Sequence, residues 1–272
     1  MNSRKAIFIT GGGSGIGRAM AQRFAREGWF VGLGDVNAAG MEETAALLPE
    51  GASWHFRFDV RDRAAWDDAL AGFTQASGGR LDVLANNAGV PIGGMLADLE
   101  TDEIDRALDV NLRAAIYGAQ AAYPYLKGSA PGSCLLNTAS AAALYGTGGM
   151  SVYCATKMGL RAVTESLDAE WHEDGIKVRS LMPSFIDTPL LAQPSHRKEN
   201  APIRDRVRGA GLEFTPVEDV AQAAWDAVHG KGLHTVIGKT ARQIAFAAKW
   251  FPKKLRARSK KLANALNGPK SA

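Results

Sequence analysis

The sequence predicts an α/β fold, a doubly wound parallel sheet of about seven strands with helices on both faces. Three observations predict it. Short apolar runs alternate with longer segments of helical spacing, a glycine-rich turn joins the first run to the first helix, and a carboxylate closes the second run. Residues 5–10 (KAIFIT) form the first strand, and residues 16–27 carry Ile16, Met20 and Phe24 on one helical face. FVGLGD (30–35) precedes a helix at 38–48, WHFRFDV (54–60) one at 62–77, and LDVLANN (81–87) a long one at 101–127. CLLNTAS (134–140) precedes a helix at 150–174, and IKVRSLM (176–182) follows it. Strands of this length joined by helices are parallel, and right-handed crossovers favour the doubly wound order. Residues 183–215 break the rhythm, being polar and irregular, and a lid over a ligand site is expected at 189–215. Residues 216–229 resume as a helix with Pro216 suited to its first turn, and HTVIG (234–238) reads as the last strand.

At 272 residues, 46% of them hydrophobic and 22% charged, the chain can bury a full core, and no linker divides residues 1–238. No apolar run is long enough to cross a membrane, and MNSRKAIFIT lacks the apolar core of a secretory signal, so a cytoplasmic protein is expected. Cys134 and Cys154 fall in a strand and a helix, without disulfide or zinc spacing, and read as packed thiols. The histidines (His55, His172, His196, His229, His234) form no ligand cluster, so no metal is assigned.

Charge is segregated. Residues 239–272 hold ten Lys/Arg and no Asp/Glu, whereas the rest of the chain has 22 basic against 28 acidic side chains. This basic C-terminal extension has apolar residues at 244, 248, 251, 255, 262 and 266, with a break expected at Pro252. Two readings fit it: an amphipathic segment making peripheral contact with an anionic membrane, or a helix packed across the substrate cleft or a subunit interface. Nucleic-acid binding is not expected, because no reader motif accompanies the charge.

Tyr153 and Lys157 stand four residues apart in VYCATKMGL, hence on one helix face, and Ser140 lies thirteen residues before Tyr153. A free tyrosine has a pKa of about 10 and is a poor base at neutral pH. An ammonium at roughly 4 Å with an effective dielectric near 20 favours the phenolate by about 4 kcal/mol, some three pKa units before desolvation subtracts from it. The spacing therefore predicts a tyrosine made into a proton carrier by its lysine.

The turn from Thr10 to Gly17 (TGGGSGIG) offers Gly11, Ser14, Gly15, Ile16 and Gly17 at a strand-to-helix junction, where backbone can approach a pyrophosphate. Asp35 ends the second strand, where a carboxylate accepts hydrogen bonds from the adenosine ribose and repels a 2′-phosphate. NAD(H) is thereby preferred to NADP(H). Asn87, Ala88 and Gly89 close the fourth strand at the same sheet edge.

TGGGSGIG, Asn86-Asn87-Ala88-Gly89, Asn111, Ser140 and the Tyr153/Lys157 pair resemble, in order and spacing, the motifs of the short-chain dehydrogenase/reductase family, over roughly residues 5–238. That resemblance implies a Rossmann-type sheet and an oxidoreductase interconverting a secondary alcohol and a ketone. It implies that Tyr153 is the general acid/base, that Ser140 hydrogen-bonds the reacting oxygen, and that Lys157 lowers the tyrosine pKa and binds the nicotinamide ribose. It implies too that Asn111 supports a water-linked proton relay to Lys157. Asp59 and Val60 match the adenine-side pair, an acid at that place being also a common helix cap. Pro183-Ser184-Phe185-Ile186-Asp187-Thr188 matches a PGxxxT segment, with serine in place of the usual glycine, so that Ile186 and Thr188 would hold the carboxamide. A homodimer or homotetramer through the helices at 101–127 and 150–174 is implied. Pro91, Ile92, Leu144, Tyr145, Met150 and Leu190 lie near the reacting groups in sequence and point to an apolar small-molecule substrate. An NADPH-dependent carbonyl or 3-oxoacyl reductase, and a non-catalytic NAD-binding sensor or scaffold, remain the alternatives.

Overall fold

A computed structural model of the chain describes residues 4–195 and 201–266. One seven-stranded, wholly parallel sheet has the order β3-β2-β1-β4-β5-β6-β7. Its strands are β1 (Ala6–Thr10), β2 (Phe30–Asp35), β3 (Ser53–Arg57), β4 (Val83–Asn86), β5 (Cys134–Thr138), β6 (Lys177–Pro183) and β7 (His234–Ile237). The order reverses between β1 and β4, and ligands bind at the carboxyl edge of such a switch point.

Alternate side chains of each strand feed opposite faces, which is why β1 is buried throughout and apolar up to Thr10. Ile7 and Ile9 pack with Met20 and Phe24 of α1 (Gly15–Arg26), Met41 of α2 (Ala38–Ala46) and Val220 of α8 (Val217–His229). Phe8 faces the other way, into Trp66 and Phe73 of α3 (Arg63–Ala76) and Leu126 of α5 (Ala114–Gly128). Polar side chains fix where helices begin. Asn37 caps α2 by accepting from the Gly40 amide, and Asp62 caps α3 by accepting from Ala64 and Ala65. Glu100 and Glu103 form a capping box at α4 (Thr101–Leu108).

The sequence predicts one helix over 101–127, but the structure interrupts it. Between α4 and α5, Asp109–Arg113 form a π-helical turn in which the Ala114 amide reaches back to the Asp109 carbonyl. Neither glycine nor proline marks the place, and only Asn111, a poor helix former, hints at it. α6 (Ser151–Glu170) follows β5, and the 183–215 segment, in its described residues, is less irregular than its composition suggests. It contains a 3-10 turn (Pro189–Ala192) and α7 (Ile203–Gly209). His196 lies outside the described residues.

Beyond β7 the chain forms α9 (Lys239–Trp250) and α10 (Pro252–Leu266), broken at Phe251 as Pro252 requires. The apolar stripe is not continuous across that break: Ile244 and Leu255 turn toward the body of the protein, whereas Phe251 is exposed. The side chains of Leu262 and Leu266 lie outside the described set. No helix among the described residues is long and apolar enough to cross a membrane.

Candidate active site

Three chain segments meet at the carboxyl edge of β1, β4 and β5, and one threonine ties them together. Thr10 Oγ1 accepts the amides of Asn87 (3.0 Å) and Ala88 (3.1 Å), while Asn87 Nδ2 donates to the Thr10 carbonyl at 2.9 Å. Thr138 Oγ1 in turn donates to Asn87 Oδ1 at 3.3 Å. The glycine turn sits directly on this platform. A Cβ at Gly17 would overlap the Gly11 carbonyl oxygen, and one at Gly15 would come within 3.2 Å of Thr188. Gly17→Ala is therefore expected to destabilise the protein by about 2 kcal/mol or more. A thermal denaturation midpoint equal to wild type would refute that.

The turn fits a dinucleotide on two observations. Ser14 is the N-cap of α1, yet its hydroxyl makes no capping bond, so it and the first-turn amides remain available to an anion. Asp35 accepts from Gly13 N (3.0 Å, Oδ2) and from Asn37 N (3.0 Å, Oδ1), and each carboxylate oxygen keeps a lone pair for a ribose hydroxyl. Arg18 is turned away from this acid. Its guanidinium donates to the carbonyls of Gly13 and Gly40, to Thr44 Oγ1 and to Glu43. The Phe58 amide donates to the Asp35 carbonyl at 3.1 Å, which brings the Asp59-Val60 loop alongside. Asp62, not Asp59, caps the following helix. The Arg61 guanidinium holds the Asp59 carboxyl below the usual carboxylate range, and the Val60 carbonyl accepts from Trp66 Nε1 at 2.8 Å.

Ser140, Tyr153, Lys157 and Asn111 line one cavity of about 300 Å3. Ser140 extends from β5 and opens a 3-10 turn, its Oγ accepting from Ala142 N at 3.2 Å while its proton is directed to the Tyr153 phenol. Tyr153 and Lys157 project from the first turns of α6, with Tyr153 packed against Ile92 and Val152. Lys157 is 4% exposed, and its Nζ donates to the Thr138 carbonyl at 2.9 Å. It stands 5.8 Å from the Tyr153 ring centroid. The π turn delivers Asn111, whose Nδ2 donates to the Val90 carbonyl (2.9 Å) and whose Oδ1 accepts from Val90 N (2.8 Å). Both ends of that side chain are engaged by the Val90 backbone.

The electrostatics differ from the expectation. Burial pushes the Tyr153 phenol above its ordinary value, and the hydrogen bond from Ser140 only partly opposes it. Burial also pushes Lys157 down to about 8. Desolvation is the largest influence on both groups, and the Lys157 ammonium has its hydrogen bond on the Thr138 carbonyl.

Pro183, Ile186 and Thr188 form the opposite wall. Ser184 does not strain the backbone, since no non-glycine residue among those described has positive φ. Its hydroxyl meets Thr215 Oγ1 at 3.4 Å, in space left free because position 238 is glycine, where a Cβ would strike both hydroxyls. Of the apolar residues expected near the reacting groups, Leu144 is not in the wall; it packs beneath with Ala143 and Met182. Cys154 is buried and its Sγ lies 3.9 Å from the Tyr145 carbonyl, consistent with packing. Among the described residues no cluster of metal-ligating side chains occurs.

Sequence reasoning missed the part played by two threonines. Thr10 and Thr138 organise the site from strand ends, and NTAS, with threonine two before Ser140, was the available signal. The cavity roof comes from further along the chain: Leu190 and Leu191 of the lid segment, Ile244 of α9, and Leu255, Arg258 and Ser259 of α10. Ser259 Oγ accepts from Gly148 N at 2.7 Å and pins α10 there.

A family model described as short chain dehydrogenase matches residues 5–199. The chain is 35% identical over 190 residues to 2,5-dichloro-2,5-cyclohexadiene-1,4-diol dehydrogenase LinX of Sphingobium indicum, covering 69% of this chain and 75% of that one. It is 33% identical over 186 residues to meso-2,3-butanediol dehydrogenase of Serratia marcescens, covering 68% and 73%. Among solved structures, 3-ketoacyl-(acyl-carrier-protein) reductase from Brucella melitensis complexed with NADH superposes with a TM-score of 0.76 at 30% identity, covering 87% of this chain and 98% of that one.

Proposed function

The chain belongs to the short-chain dehydrogenase family and is an oxidoreductase of it, and on that premise we propose an NAD(H)-dependent enzyme that interconverts a secondary alcohol and a ketone. The observation that carries the reading is the convergence of the Ser140 and Tyr153 hydroxyls and the Lys157 ammonium on one largely apolar cavity. When bound, the nicotinamide supplies hydride transfer. The protein supplies the proton and the orientation. Tyr153 donates its phenolic proton to the carbonyl oxygen in reduction and takes the hydroxyl proton in oxidation. Ser140 donates a hydrogen bond to the same oxygen. Lys157 has one of its three donors on Thr138, which leaves two for the nicotinamide ribose and for a water leading to the Asn111 backbone. Gly11, Ser14, Gly15, Ile16 and Gly17 hold the pyrophosphate. Asp35 holds the adenosine ribose, Asp59 and Val60 flank the adenine, and Asn87, Ala88 and Gly89 support the sugar. Pro183, Ile186 and Thr188 hold the carboxamide.

The substrate side is apolar: Ile92, Leu190, Leu191, Ile203 and Leu212 line it. Relatives named for diols are consistent with a secondary hydroxyl next to carbon-rich surface. Residues 1–238 form the catalytic unit with its 189–215 lid, and α9 and α10 of the 239–272 extension close the roof. Ile116 of α5 and Met158 of α6 are 42% and 36% exposed, which supports a dimer or tetramer through these helices.

Asp35 carries the cofactor choice. NADH is expected to bind more tightly than NADPH, and Asp35→Ser is expected to weaken NADH by roughly ten- to a hundredfold, the loss of hydrogen bonds to a charged acceptor. Calorimetric dissociation constants for both nucleotides test this. Tighter binding of NADPH by the wild type would overturn the NAD reading. Turnover of a panel of secondary alcohols, followed at the NADH absorbance, tests the reaction itself.

A further inference from the structure

We propose that the corner between α9 and α10 is a docking surface for an anionic phospholipid bilayer. Three aromatic side chains meet there uncovered: Phe246 and Trp250 are each 60% exposed and Phe251 is 45% exposed. The rings of Phe246 and Phe251 lie 5.9 Å apart. Lysines crown them, with Lys249 Nζ 5.0 Å from the Trp250 ring and Lys254 Nζ 5.0 Å from that of Phe251. Aromatic rings beside ammonium groups suit the boundary between headgroups and acyl chains, where the ring enters and the charge stays in water.

The orientation of α10 is set by its other face. Leu255, Arg258 and Ser259 line the cavity, and Ser259 is held by the Gly148 amide. At about 100° per residue, Lys253, Lys260 and Lys261 then fall on the outward side. These lysines are exposed, and none is ion-paired with a carboxylate among the described residues. The aromatic corner and the lysine face are both exposed, and α10 cannot roll its lysines inward without withdrawing Leu255 and Ser259 from the cavity.

Charge selects the occupant. With ten cations and no acid in residues 239–272, two copies of this corner would repel, whereas an anionic leaflet complements it. Each lysine near such a surface strengthens binding by about fivefold, and neither helix can span, so the contact is peripheral. The proposal rests on this surface alone and is independent of the reaction assigned to the cavity.

The test is co-sedimentation of the full chain with vesicles of phosphatidylcholine, alone or mixed with phosphatidylglycerol. Binding is expected only to the anionic vesicles and is expected to fall as salt rises. The variant Phe246→Ser/Trp250→Ser/Phe251→Ser is expected to lower partitioning about tenfold or more with NADH binding retained. Lys253→Glu/Lys260→Glu/Lys261→Glu, which leaves the aromatic groups in place, is expected to do the same and carries the test if the first variant misfolds. Failure of the wild type to sediment with anionic vesicles, equal sedimentation with neutral ones, or unchanged binding by the folded variants would overturn it. So would dissociation of a stable oligomer by the aromatic variant, which would make the corner an interface between copies.

Discussion

Tyr153→Phe is expected to lower turnover of a good secondary alcohol by about a thousandfold, the range in which a positioned proton donor acts, while leaving the fold and NADH affinity nearly intact. The ring stays in place because Tyr153 packs against Ile92 and Val152, contacts that phenylalanine reproduces. Only the hydroxyl is lost. Steady-state rates and a calorimetric NADH titration on the same preparation separate the two properties. Turnover equal to wild type would remove Tyr153 from the chemistry and return the chain to the reading of a nucleotide-binding scaffold.

Lys157→Met is expected to abolish most turnover and, against the usual direction for a buried substitution, to raise stability near neutral pH. Lys157 is 4% exposed, makes its hydrogen bond to a neutral carbonyl, and protonates at about 8 rather than at the ordinary 10.5. Between those values the unfolded chain binds more protons than the native one, so stability rises with pH across that window. Below it the native state carries the whole cost of the buried charge, about 3 kcal/mol by linkage, less what the Thr138 hydrogen bond returns. Methionine removes the charge at similar length. The variant's advantage in denaturation midpoint should therefore be largest at pH 7 and shrink as pH rises through 10.5, well above which wild-type Lys157 is neutral in both states. A difference that stays constant with pH would mean that Lys157 is not the buried cation described here.

The legible part of the site was the part written in local spacing. The alternation of apolar runs and helical faces placed all seven strands within a residue or two at their starts, and the glycine turn, Asp35, Ser140, Tyr153 and Lys157 fell at strand ends and on one helix face where the spacing put them. The illegible part depended on contacts between distant segments. The π turn at Asn111 shows in residue-by-residue propensity only as one poor helix former, whereas its side chain is bonded to Val90, twenty-one positions away. The lowered pKa of Lys157 and the raised one of Tyr153 likewise depend on how much of the surrounding chain closes over them. A helical spacing supplies proximity between two groups but not the solvent they lose.

The C-terminal extension marks the same division. Its composition alone determined that it is basic, amphipathic and broken at Pro252, and left open whether it meets a lipid surface, the cleft or a subunit interface. The tertiary structure divides its faces: Leu255 and Ser259 go to the cavity roof, and Phe246, Trp250 and Phe251 are left outward. Periodicity determines which residues share a face, since that is a property of the helix itself. Which way the face turns is decided by what the rest of the fold offers it, here an apolar cavity needing a roof and a Gly148 amide needing an acceptor.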